Sequence, residues 1–293
     1  MKIIEIIISG LNIGVIYAMI ALGYTMVYGI AKLLNFAHGD IIMVGGYAIC
    51  VFCAMSGSRT FFFVSIVAAV IICTVLGIVV ERVAYRPLRG ATPIAVLITA
   101  IGISYLLQSL AQIIFGSAQR YVTVPDLGKI MIGSLGIKWS TIITLAASVI
   151  VMVSLSLFVK YSRIGRAMIA VSEDRGASQL MGINVNIIIT ITFAIGSALA
   201  ALAGLFYLLQ SPYITNTFGA MPGIKAFTAA VIGGIGSIPG AMIGSLVLGL
   251  IESICDTIVP IAPYKDAIEF SILIIILLVK PTGLLGKVRR EKV

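Results

Sequence analysis

The sequence predicts an all-α integral membrane protein with about eight transmembrane helices, some of them broken or re-entrant, and a weak pseudo-repeat of two halves. Three observations carry this. Of 293 residues, 60% are hydrophobic and only 11% are charged, whereas a soluble domain needs roughly 25% charged residues to face water. The mean hydropathy is +1.16, so the surplus apolar surface must meet lipid. Runs near the ~20 residues that cross a hydrocarbon core occupy 6–30, 61–81, 93–116, 139–159, 186–209 and 266–280. Two further apolar stretches are interrupted: 40–56, entered through Asn35-Phe36-Ala37-His38-Gly39-Asp40, and 225–258, split near 233–240.

The N-terminus enters a long apolar stretch with no small-residue cleavage site at a suitable distance, so it reads as an uncleaved first span. Cys50 and Cys53 form a C-x-x-C. With no second pair and no histidine beside it, apolar packing explains it better than redox or metal chemistry. The net charge of +9 sits in short loops rather than in a continuous stripe. That fits the positive-inside bias of membrane proteins and not a nucleic-acid footprint.

Loop charges set the orientation. Arg82, Arg86 and Arg89 cluster in one loop, Lys160, Arg163, Arg166 and Arg175 in another, and Lys280, Lys287, Arg289, Arg290 and Lys292 at the end of the chain. These three regions read as cytoplasmic. The more sparsely charged 117–138 loop reads as external.

Each half contains a glycine-interrupted, shortened apolar segment, around 35–56 and around 225–258. Broken helices at corresponding places in two halves point to a transport pathway. The candidate lining residues are Asn35, Phe36, His38, Gly39 and Asp40 in the first break and Gly233, Gly234 and Gly236 in the second. The plainer alternative has Asn35 and Asp40 capping helix ends. A catalytic His38–Asp40 pair would lack a nucleophile and an oxyanion site, and a metal site would lack ligands.

Other patterns favour helix packing. Gly236, Gly240 and Gly244 are spaced by four, as are Gly196, Ala200 and Gly204, so one face of each helix admits close backbone approach. Ser104, Gln108 and Gln112 form a polar row suited to interhelical hydrogen bonding. Glu252 and Asp256, one turn apart, are expected to be solvated at the membrane edge. Glu269 lies deeper, and its partner cannot be read from the sequence.

The 160–184 stretch is too polar to cross and too long for a tight turn. Within it, Glu173 to Met181 can form a short amphipathic helix closed by Gly182 as a left-handed cap. Acids at its start suit the helix dipole. Such a helix invites docking into a groove on another protein. Arg166, Glu173, Asp174, Ala177, Leu180 and Gly182 are its candidate coupling residues, within a single transmembrane domain spanning 1–293.

The run Gly10-Leu11-Asn12-Ile13-Gly14-Val15-Ile16-Tyr17-Ala18, with Leu22-Gly23-Tyr24-Thr25, Asn35 to Asp40 and Gly45-Gly46-Tyr47, resembles the start of bacterial branched-chain amino-acid ABC importer permeases of the LivH type. Gly165-Arg166-Ala167-Met168 to Asp174 and Leu180-Met181-Gly182-Ile183-Asn184 are similar to that family's ATPase-contacting loop. Lys225 to Ala241 resembles its glycine-rich segment, and Pro281-Thr282-Gly283-Leu284-Leu285-Gly286 its terminus. The resemblance covers nearly the whole chain in order.

It implies a multi-pass protein of the bacterial cytoplasmic (inner) membrane, paired with a homologous second permease subunit. It also implies two cytoplasmic ATPase subunits and a periplasmic or extracellular substrate-binding protein. The chain is expected to be no enzyme and to hold no cofactor. The resemblance implies that ATP and magnesium belong to the partner subunits, and the lack of a G-x-x-x-x-G-K-[ST] here agrees with that. The expected cargo is a branched-chain or other hydrophobic amino acid, with urea or amides as the alternative. An ion-coupled transporter using Asp40 or Glu269 is a rival from another class. A membrane enzyme is a second, without H-E-x-x-H, G-x-S-x-G or paired catalytic carboxylates.

Overall fold

The computed structural model describes residues 2–33, 35–56, 59–125, 127–132 and 135–286; Lys287, Arg289, Arg290 and Lys292 lie outside the described residues. The helices are α1 (Lys2–Ala31), α2 (His38–Ser56), α3 (Arg59–Val80), α4 (Pro93–Phe115), α5 (Trp139–Tyr161), α6 (Arg163–Glu173), α7 (Arg175–Leu180), α8 (Val185–Gln210), α9 (Ala220–Gly233), α10 (Ile238–Thr257) and α11 (Lys265–Val279). A π-helical turn, Glu81–Tyr85, extends α3. Among the described residues seven helices are long and apolar enough to cross a membrane: α1, α2, α3 with its π-turn, α4, α5, α8 and α10.

The interrupted 225–258 stretch resolves into α9 and α10. At 14 residues, α9 spans only about 21 Å at 1.5 Å per residue and cannot cross alone. The 15-residue α11 occupies the expected 266–280 run.

Local sequence fixes the helix starts. Thr92 caps α4 by accepting from the Ala95 amide at 3.4 Å, with Pro93 at the first helical position. Asn184 caps α8 through Ile187 N at 3.2 Å. Ser237 caps α10 through Gly240 N at 3.2 Å. Each side chain satisfies an amide that the helix itself leaves free.

α1 lies at the centre, packed along α8, α9 and α10. Glycines set those approaches. A Cβ on Gly10 would meet the Leu250 backbone at 2.9 Å, one on Gly14 the Leu246 Cα at 3.0 Å, and one on Gly196 the Gly23 carbonyl at 3.5 Å. The Gly196-Ala200-Gly204 face therefore packs helices, as its spacing predicts. Gly236 departs from its expected stripe. It precedes the Ser237 cap, lies outside α10 and has φ +91, so only Gly240 and Gly244 share the helical face.

Two small antiparallel ribbons cover the end opposite α6 and α7. β1 (Arg120–Tyr121) pairs with β4 (Tyr213–Ile214), and β2 (Lys129–Ile132) with β3 (Leu135–Lys138).

After α1 ends, α2 starts back beside Gly23, two turns before the end of α1; a Cβ there would overlap His38. After α8, the segment following β4 runs inward along α2, where a Cβ on Gly46 would meet Ile214 at 2.7 Å and Phe218 at 3.3 Å. α9 then starts beside Gly39. Helices α2 and α9 thus both begin inside the bundle and meet at their N-termini.

Candidate functional site

The inner break is a buried polar junction. Asn35, 3% exposed, accepts a 2.9 Å hydrogen bond from the Tyr85 hydroxyl. His38, 1% exposed, packs edge-on against Tyr24 with ring centroids 4.7 Å apart. Asp40 is also buried and accepts from Gln108 Nε2 at 2.9 Å, while the same amide reaches Ser104 Oγ at 3.2 Å. Of the predicted polar row, Gln108 therefore bonds across helices to Asp40 and along α4 to Ser104, and Gln112 stays exposed. Phe36 stacks obliquely on Phe227 of α9, centroids 5.6 Å apart.

Gly39 faces the start of α9. A Cβ at 39 would lie 2.6 Å from the Gly219 carbonyl, and one at Gly223 would lie 3.0 Å from Gly39 Cα. The structure does not bring the two predicted breaks together. The partner of 35–40 is 219–223. The second break packs elsewhere: Gly234, φ +108, abuts Gly286, and Gly236 abuts Gly29. Leu284 N and Leu285 N donate to Ile232 O at 2.8 Å and Gly233 O at 2.9 Å, closing the end of α9 against the C-terminal turn.

The structure also assembles an ion network whose centre the sequence patterns missed. Lys225 Nζ from α9 lies 2.8 Å from Glu252 Oε1, 2.8 Å from Asp266 Oδ1 and 3.3 Å from Glu269 Oε2. Lys265 Nζ joins Glu252 at 3.2 Å and Asp256 at 3.0 Å, and Tyr17 donates to Glu252 Oε2 at 2.7 Å. Glu252 was expected at a solvated edge, but it is buried because α9 delivers a cation to it. Asp256, its side chain 44% exposed, is the solvated member. Beside them a cavity of about 190 Å³ is lined by Tyr17, Tyr207, Gln210, Glu252, Asp256 and Lys265. The available signal was a lysine and two glutamates in otherwise apolar runs, since ionisable groups at membrane depth seek partners.

The polar connector folds as two helices rather than one. Asp174 leaves helical geometry at φ −150, ends α6 and caps α7 by accepting from Ala177 N at 2.9 Å. The expected Glu173–Met181 helix is therefore cut: Glu173 is the last residue of α6 and α7 runs only from Arg175 to Leu180. Gly182, φ +81, ends it in the expected left-handed conformation. Arg166, Glu173, Asp174, Ala177 and Gly182 are exposed. Leu180 and Met181 project with 92% and 83% exposure. Arg175 turns inward and donates to the Ala31 carbonyl at the end of α1. Burial, with the Arg89 charge nearby, holds its guanidinium below the ordinary range.

Residues 6–277 match the family described as the branched-chain amino acid transport system / permease component. The chain belongs to that family. It is 44% identical to the high-affinity branched-chain amino acid transport system permease protein LivH of Salmonella typhimurium, over 97% of this chain and 96% of that one. It is 43% identical to LivH of Escherichia coli over the same shares, and 42% identical to BraD of Pseudomonas aeruginosa, covering 98% and 96%. A solved structure, PsaBC from Streptococcus pneumoniae in complex with Fab, superposes with a TM-score of 0.50 at 14% identity, over 94% of this chain and 91% of that one. That likeness concerns the fold alone. As a member of this family the chain is a multi-pass membrane permease subunit of an ABC transport system and not an enzyme.

Proposed function

We propose that this permease carries branched-chain or similarly hydrophobic amino acids inward across the bacterial inner membrane. A binding protein supplies the cargo, and two ATPase subunits drive a pair of permeases between outward- and inward-open forms. The observation that carries the motor part of this reading is the α6–α7 connector, which presents Leu180 and Met181 almost fully exposed at the end of a capped, six-residue helix. Apolar side chains fixed at a polar tip suit a groove on another protein. Arg175 fastens α7 to the end of the central helix α1, so a push on α7 reaches the α1–α2 break. Asn35, Phe36, His38, Gly39 and Asp40 then gate the path together with 219–223, and Gly233, Gly234 and Gly236 brace the far end of α9.

The test is co-purification of the assembled transporter. Ala177→Arg and Leu180→Arg are expected to release the ATPase subunits and abolish uptake while the permease stays in the membrane at normal level. Full ATPase occupancy and unchanged uptake would show that α7 is not the handle. Competition by leucine, isoleucine and valine against urea and amides decides the cargo.

The buried Lys225–Glu252–Glu269 network favours a second reading, in which an ion gradient drives transport through titrating carboxylates. Uptake that collapses with an ionophore while ATP remains would support it. Movement of solute by the purified chain alone in liposomes would also support it.

A further inference from the structure

α4 touches the rest of the chain sparingly, through α2 and the π-turn. Gly102, Tyr105, Ser109 and Gln112 recur along it at three- and four-residue steps, and all are exposed. A Cβ on Gly102 would meet nothing within 4 Å. Tyr105, 66% exposed, stands near the middle of the helix, roughly 15 Å from its nearer end at 1.5 Å per residue. Tyrosines that face lipid belong at the headgroup level, where the hydroxyl finds water. At mid-depth a phenol, a serine and an amide in one line would meet hydrocarbon, which offers them no hydrogen bonds. The exposed side chains of α3 show the contrasting case, since Phe63, Val64, Val67, Ile71, Ile72, Val75 and Val79 are all apolar.

We propose that this face of α4 is the seat of the second permease subunit, resting on the paired-permease reading above. The partner is a transmembrane helix with small and hydrogen-bonding residues of its own. Gly102 admits its backbone closely, and Tyr105, Ser109 and Gln112 exchange hydrogen bonds with it, the combination that holds helices together in a bilayer where hydrophobicity does not. The face is continuous with the buried site, because Ser104 and Gln108 on its flank lead to Asp40. The subunit contact and the α2 break therefore share one helix.

The test places a photo-crosslinking amino acid at Tyr105, at Ser109 and, as lipid-facing controls, at Val67 and Ile71, in the transporter assembled in membranes. Crosslinks from 105 and 109 to a second permease, whether a homologue or another copy, with none from 67 and 71, are the expected result. A companion variant, Gly102→Leu, is expected to remove the second permease from the purified complex while this chain keeps its membrane level. The proposal is overturned if positions 105 and 109 yield only lipid adducts, or if a cysteine at 105 is freely labelled by a membrane-impermeant maleimide. It is also overturned if the second permease crosslinks from 67 and 71 instead. Purification with no second permease at all would sink the paired reading itself, an outcome distinct from a misplaced face.

Discussion

Lys225 on α9 and Glu252 on α10 form an ion pair of 2.8 Å with both side chains almost closed to solvent. Within the same reach lie Asp266 and Glu269, so one ammonium group ties three helices through three carboxylates. Removing it leaves the buried Glu269 without that cation and beside Glu252, which keeps only Lys265 and Tyr17. Lys225→Met should destabilise the protein by roughly 3–5 kcal/mol, the usual effect of orphaning a buried charge. Thermal unfolding in detergent checks this. Adding Glu252→Gln to Lys225→Met should restore part of the loss, a coupling that only a contacting pair shows. A purely additive double variant would contradict the geometry.

The Gln108–Asp40 bond gives a second expectation. Asp40 is 2% exposed and accepts from Gln108 of α4 at 2.9 Å. Gln108→Leu withdraws that donor and should cost about 1–3 kcal/mol, more than a surface change would. Asp40→Asn keeps a hydrogen-bonding group in place and should be milder. If uptake falls with Asp40→Asn while stability holds, the carboxylate acts in the path rather than only in packing. Transport assays run beside unfolding curves separate the two roles.

At the connector, Asp174 caps α7 through Ala177 N. Asp174→Ala should cost about 1 kcal/mol of helix stability. Because α7 has only six residues, the loss should appear locally. Hydrogen exchange at the amides of 175–182 should accelerate while α8 and α10 stay protected. ATPase association should weaken without disappearing, since Leu180 and Met181 remain.

How much of this was legible depends on the range of the interaction. The spans follow from composition, because lipid demands long apolar runs, and the α8 glycine face follows from period alone. Gly182 was legible as a cap because a left-handed residue after a helix favours glycine. The cut at Asp174 is also written locally, as an acid three residues before an amide it can accept from, but the same acids equally suit the first turn of a longer helix. Gly39 and Gly219 are different, for neither is conspicuous until the fold sets one N-terminus against the other. Lys225 lies in a glycine-rich block, where its charge stands alone in the local sequence. Its partners lie on two later helices, so chain spacing carries no trace of the network.

That close contact supports the sharpest expectation. A methyl group on Gly39 would sit 2.6 Å from the Gly219 carbonyl, and one on Gly219 would overlap the Gly39 carbonyl itself. Backbone cannot yield as a flexible side chain does, so α2 and α9 would have to separate. Gly39→Ala and Gly219→Ala should each cost at least about 1–3 kcal/mol, the ordinary penalty of overpacking, and should lower folded yield. Gly90→Ala, where a Cβ meets nothing within 4 Å, is the matched control and should be near neutral. If Gly39→Ala proves as benign as Gly90→Ala by yield and unfolding temperature, the two helix starts do not meet as described. The gate assigned to 35–40 and 219–223 would then lose its footing.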